Sequence, residues 1–81
     1  MTLNSLKKII KYRSTYSGTK ETDILYKKYF INNLDKFSIN ELKLLKSIFD
    51  TYSDDEIYDI FSNKIIVNHK FRKLFEKINT I

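Results

Sequence analysis

The chain has 81 residues, 42% of them hydrophobic and 15% aromatic, with a net charge of +5 and no cysteine. That length makes one domain, spanning 1–81, with roughly 60–65% of the unfolded surface buried. Disulfide and thiolate chemistry are excluded, and no apolar run reaches the roughly 20 residues that cross a bilayer. A pI near 9.4 favours acidic partners such as nucleic acid, anionic lipid or an acidic protein face, without choosing among them.

Apolar residues recur at three- and four-residue spacing along the whole chain, which predicts an all-α fold. Leu3, Leu6, Ile9, Ile10 and Tyr16 define a first helix from about Leu3 to Tyr16, with Lys7, Lys8 and Lys11 on its wet side. Those early lysines interrupt any signal-peptide core, so a cytoplasmic protein is expected. Gly18 is the one glycine of a chain without proline. It fits the C′ position that ends a helix in left-handed geometry. A second helix is expected from about Lys20 to Leu34, with core residues Ile24, Leu25, Phe30, Ile31 and Leu34. Glu21 and Asp23 fall in its first turn, where carboxylates complement the macrodipole.

The next two helix starts are the clearest local signals. Ser38-Ile39-Asn40-Glu41 and Ser53-Asp54-Asp55-Glu56 are capping boxes, with Phe37/Leu42 and Tyr52/Ile57 at staple spacing. They predict helices from about Ile39 to Thr51, on Leu42, Leu45, Ile48 and Phe49, and from about Asp54 to Ser62, on Ile57, Ile60 and Phe61. Asn63 tolerates left-handed geometry and can end the latter. Lys64 to Val67 reads as a strand or an extended link, and the lack of a strand partner favours the link. Asn68 caps a last helix carrying Phe71, Leu74, Phe75 and Ile78. The expected architecture is a compact single-domain bundle of about five short helices.

Catalytic and metal chemistry find little support. His69 is the single histidine, and its place near a helix start reads as surface; no spacing suggests a zinc site. Asp54, Asp55 and Glu56 are accounted for by a helix first turn, and a lone Gly18 makes no phosphate loop. Lys7, Lys8, Lys11 and Arg13 on one helix give a second reading, a small basic nucleic-acid-binding module. Against it, Glu41, Lys43, Lys46 and Asp50 mix both signs on the third helix, and the aromatics sit at core spacing.

From Tyr12-Arg13-Ser14 through Gly18-Thr19-Lys20-Glu21-Thr22-Asp23 the chain resembles the SdhE-type succinate dehydrogenase assembly factors, the flavinators. Their signature is a Tyr- or Trp-containing first helix, then Arg-Gly-x-x-Glu continuing to an Asp. Gly18, Glu21 and Asp23 fall on that pattern, with basic Lys20 between. Asp23-Ile24-Leu25 is similar to the family's Asp-Leu-Leu run. Phe37-Ser38 through Glu41-Leu42 is similar to its Leu-Ser-x-x-Glu-Leu, and Asp55-Glu56-Ile57-Tyr58-Asp59 to its Asp-x-Asp-Leu-Tyr element. The matches are collinear over nearly the whole chain. Ser17 departs, standing where the arginine of Arg-Gly is usual; Ile60 and Asn63 replace a common tryptophan and glycine.

The resemblance implies a binding protein and no enzyme. The family promotes covalent attachment of FAD to a histidine of the succinate dehydrogenase flavoprotein subunit and, in bacteria, of the fumarate reductase flavoprotein. FAD would belong to the client, with no cofactor held stably by this chain. The implied partner-binding residues are Arg13, Ser17, Gly18, Lys20, Glu21 and Asp23, with Arg13 as a candidate substitute for the missing arginine. Tyr12 and Tyr58 are core or interface, with core favoured for Tyr58. A monomer is expected, without nucleic acid and without membrane insertion.

Overall fold

Helix α1 runs over Leu3–Thr15, α2 over Lys20–Tyr29, α3 over Ile39–Thr51, α4 over Asp54–Phe61 and α5 over Arg72–Thr80 in a computed structural model that describes residues 2–15 and 17–80. Two 3-10 segments, Ile31–Lys36 and His69–Phe71, lead into α3 and α5. Among the described residues there is no strand. The all-α expectation holds, and Lys64 to Val67 is a link, as its lack of a strand partner suggested.

The two capping boxes fix the middle of the chain. Ser38 Oγ accepts the Glu41 amide at 3.2 Å, and the Ser38 amide donates to Glu41 Oε1 at 2.8 Å. Ser53 and Glu56 repeat the exchange at 3.2 and 3.0 Å. Each pair satisfies two orphan amides of a helix start. At the end of α4, Asn63 takes φ 60°, and the Lys64 amide reaches back to the Asp59 carbonyl at 2.8 Å. Asparagine is the side chain other than glycine that visits this region most readily.

The second helix is shorter than its expected end at Leu34. It stops at Tyr29 because Asn33, nearly buried, turns its amide back on the helix end. Asn33 Nδ2 donates to the Lys28 and Tyr29 carbonyls at 3.0 and 3.1 Å, satisfying two acceptors that α2 leaves open. The chain continues in the tighter 3-10 form. The expected Tyr16 end of α1 lies outside the described residues.

The core is one contiguous cluster. Leu6 and Ile10 of α1 meet Leu42, Leu45, Ile48 and Phe49 of α3, Ile57 and Ile60 of α4, and Phe71, Leu74, Phe75 and Ile78 of the last segment. Phe30 sits at its centre, stacked on Tyr26 at 5.3 Å and edge-on to Phe49 at 5.6 Å. Tyr29 and Phe61 stack at 4.9 Å, and Phe61 meets Phe75 at 5.2 Å. Such ring pairs add to the apolar burial of each ring. α3 packs on both α1 and α5, while α2 packs on α1 and α4. The radius of gyration is 11.6 Å, close to the roughly 11.7 Å of a compact chain this long. The link is pinned at its end, where the Asn68 amide donates to the Tyr52 hydroxyl at 2.9 Å.

One core assignment is corrected. Ile24, expected inside, is 60% exposed. Its neighbours Thr22 and Tyr26 are the buried residues of α2. A polar-looking Thr and a Tyr displace it because α2 rotates its Thr22–Tyr26–Tyr29 face inwards.

Candidate partner-binding surface

The turn from Ser17 to Thr19 joins α1 to α2. Thr19, not the glycine, starts the helix. In extended geometry at φ −135°, its side chain accepts the Thr22 amide at 3.2 Å. The Thr19 and Thr22 hydroxyls are 2.7 Å apart. Ser17 donates its hydroxyl to the Asp23 carboxylate and lies 3.1 Å from the Thr19 carbonyl oxygen. Ser17 and Asp23 thus close the turn on itself.

Gly18 does not take the left-handed geometry expected of it: no glycine has positive φ. A Cβ built there would meet nothing within 4 Å. The residue is exposed, so neither backbone strain nor crowding inside this chain requires glycine. Lys20 and Glu21 are also exposed on the first turn of α2.

Glu21 opens onto a depression of about 450 Å³ between the starts of α2 and α4. Its other walls are Thr19, Thr22, Asp55, Tyr58 and Asp59. Glu21, Asp55 and Asp59 give it an acidic lining, and among the described residues none of the three is in an ion pair. Tyr58 is a half-buried wall of this depression rather than core. In the sequence Asp55 reads as part of a helix first turn and Asp59 only as part of the Asp55-Glu56-Ile57-Tyr58-Asp59 resemblance, because their i, i+4 spacing does not say that α4 packs beside α2.

Arg13 is placed elsewhere. Its guanidinium donates to the Phe49 carbonyl at 2.6 Å and to Asp50 Oδ1 at 3.1 Å. It also lies 5.3 Å from the Phe49 ring centroid. The structure therefore brings Ser17, Gly18, Lys20, Glu21 and Asp23 together at one turn and ties Arg13 to the end of α3. A second depression, of about 410 Å³, opens there between Tyr12, Arg13, Phe49, Tyr52, Ser53 and Asp54. Tyr12 on its rim is 63% exposed. Beneath it the Tyr26 hydroxyl donates to Asp54 Oδ1 at 2.7 Å. Burial, then the bond to the Asp54 carboxylate, pushes the Tyr26 phenol far above its ordinary range.

The basic row of α1 is also partly consumed. Lys7 pairs with Asp35 at 2.7 Å and Arg13 with Asp50, which leaves Lys8 and Lys11 exposed without an ion pair among the described residues. No group of three or more His, Cys, Asp or Glu side chains among the described residues is placed to hold a metal. No helix among them is long and apolar enough to cross a membrane.

The molecule is a small helical bundle with an open turn beside an acidic depression. Residues 8–81 match the model of the Sdh5 family, described as the flavinator of succinate dehydrogenase, and the chain belongs to that family. The match takes in the Ser17–Asp23 turn, both capping boxes and the whole of α5. It is an assembly-factor family serving succinate dehydrogenase. No curated protein and no solved structure matches the chain at a significant level.

Proposed function

We propose that this protein binds the flavoprotein subunit of succinate dehydrogenase in the cytoplasm and promotes covalent attachment of FAD to it. The observation that carries the reading is the family match over residues 8–81, which contains a turn whose glycine faces open space. In this reading the chain acts as a monomer and supplies no catalytic group; the FAD and the histidine that takes it belong to the client. Binding favours the client conformation in which that histidine meets the flavin, a proximity effect reached by a population shift. Gly18 admits the client's surface closely, and Lys20 and Glu21, exposed on the adjoining first turn of α2, present opposite charges beside that approach. Ser17 and Asp23 hold the turn's shape. The fumarate reductase flavoprotein is a second client of the same chemistry.

The test is co-expression with the cognate flavoprotein subunit, scored by flavin fluorescence of the denatured subunit. The wild-type chain raises the covalent flavin signal. Gly18→Leu keeps helix content and melting temperature, because the added side chain enters empty space, yet lowers the signal and the co-purified client. No increase with the wild-type chain refutes the reading. Normal flavinylation by Gly18→Leu removes the turn from the binding surface.

A further inference from the structure

The outward face of α2 carries an apolar side chain where helix geometry and charge leave it without an internal purpose. Ile24 is 60% exposed, while the helix buries Thr22 and Tyr26 on the opposite side. On a helix surface the neighbours of Ile24 are the residues three and four positions away: Lys20, Glu21, Lys27 and Lys28. All four are exposed. Among the described residues none of the three lysines enters an ion pair; the Lys28 ammonium lies 5.1 Å from the Tyr29 ring centroid. The result is an isoleucine rimmed by three lysines outside any ion pair and one glutamate, continuous through Lys20 and Glu21 with the Gly18 turn and the acidic depression.

An apolar centre inside a charged rim is the arrangement of a protein-binding patch. We infer that Ile24 is the apolar anchor of the client-binding surface, and that the flavoprotein presents to it an apolar depression rimmed by carboxylates. This inference rests on the assembly-factor reading. Other occupants fit the charges less well. A second copy docked by two-fold symmetry would bring together two patches that each carry three lysines against one glutamate. A membrane-surface helix needs a broad apolar face, and α2 exposes one large aliphatic side chain over its ten residues. The charges of the patch also predict salt sensitivity: complementary rims speed association, and salt screens them.

The experiment measures affinity of the full chain for the purified flavoprotein subunit by calorimetry at two salt concentrations. Variants are Ile24→Ala, Ile24→Asp, the pair Lys27→Glu with Lys28→Glu, Gly18→Leu, and Ile66→Ser as a control in the α4–α5 link, where Ile66 is 89% exposed. Circular dichroism checks the fold, and alanine on an exposed helix position does not threaten it. Ile24→Ala is expected to weaken binding at least about tenfold, which corresponds to about 1.4 kcal/mol. Ile24→Asp weakens it further, the lysine pair weakens it and flattens the salt dependence, and Ile66→Ser leaves it unchanged. Wild-type affinity in both Ile24 variants, with binding lost in Gly18→Leu, overturns this inference and leaves the assembly-factor reading standing. Absence of binding by the wild-type chain overturns both. Self-association of the free chain that Ile24→Ala abolishes assigns the face to a second copy and also overturns it.

Discussion

Arg13 offers the sharpest test of how fold and function divide in this chain. Arg13→Ala removes two separate supports from the end of α3. The Phe49 carbonyl is one of the last four of that helix and has no intrahelical donor. The Ile48 carbonyl is taken by the Tyr52 amide at 2.9 Å, whereas Phe49 relies on Arg13 at 2.6 Å. A charged donor to a part-buried acceptor contributes about 1.5–3 kcal/mol. The guanidinium over the Phe49 ring adds about 0.5–1 kcal/mol. The bridge to Asp50 is open to solvent and screened, so it enters with no figure. The sum is about 2–4 kcal/mol. At about 4–8 °C per kcal/mol for a domain of this size, the melting temperature falls by about 8–32 °C. Arg13→Lys recovers only part of this, since an ammonium lacks the fork that reaches carbonyl and carboxylate together. Asp50→Asn leaves the carbonyl bond and the ring contact in place and costs little. Thermal melts by circular dichroism read all three, and flavinylation is scored well below the transition. The reasoning is refuted if Arg13→Ala melts within about 3 °C of wild type while client binding disappears. Arg13 would then be a partner contact after all.

Two further outcomes follow from buried and paired groups. Tyr26→Phe removes the hydroxyl held on Asp54 at 2.7 Å and costs about 1–2 kcal/mol, because half-buried Asp54 regains some water; a melt indistinguishable from wild type contradicts this. For pH, Lys7 holds Asp35 low, Lys77 and then the Ser38 amide hold Glu41 low, and Lys46 and then Arg13 hold Asp50 low. A folded-state pKa below the unfolded one stabilises above the unfolded value, near pH 4, and the gain is lost as pH falls through the folded pKa. The melting temperature therefore drops on acidification below about pH 4, and Lys77→Met reduces the Glu41 share of that drop. A melting temperature that rises over this range contradicts the assignment.

The parts of the fold legible in the sequence are those decided locally. Ser38 with Glu41, and Ser53 with Glu56, are short-range exchanges between side chain and amide, so α3 begins at the expected residue and α4 does too. Asn63 is legible for the same reason, since its tolerance of φ 60° is a property of one residue. α2 misleads because its inward face is chosen by packing. Thr22 and Tyr26 look polar but are buried, each with its hydroxyl bonded, to Thr19 and to Asp54. The bond to Asp54 crosses from α2 to α4, at a sequence separation that periodicity does not register. Asn33 is the same lesson at shorter range: its side chain ends α2, where the apolar pattern continued to Leu34. For the candidate surface, the residues of the turn stand together in the sequence as they do in the structure. The acidic wall of Asp55 and Asp59 was not, since it exists only once α4 lies beside α2.

The absent arginine at Ser17 can now be placed in energetic terms. Arg13 was the natural substitute, one helical turn earlier. To serve at the turn it would have to leave the Phe49 carbonyl and ring, forfeiting about 2–4 kcal/mol, a factor of roughly 30–700 in population. Client binding would have to supply that before any gain appeared. Ser17, meanwhile, spends its hydroxyl on Asp23, so the carboxylate that a guanidinium would neutralise is already satisfied without a charge. Positive charge at this end of α2 therefore rests on Lys20, and beyond it on Lys27 and Lys28. With a serine at position 17 and three lysines along α2, the positive charge of this surface lies around Ile24. In the proposed reading, the client therefore places its carboxylates around an apolar contact on α2, and fewer of them against the glycine.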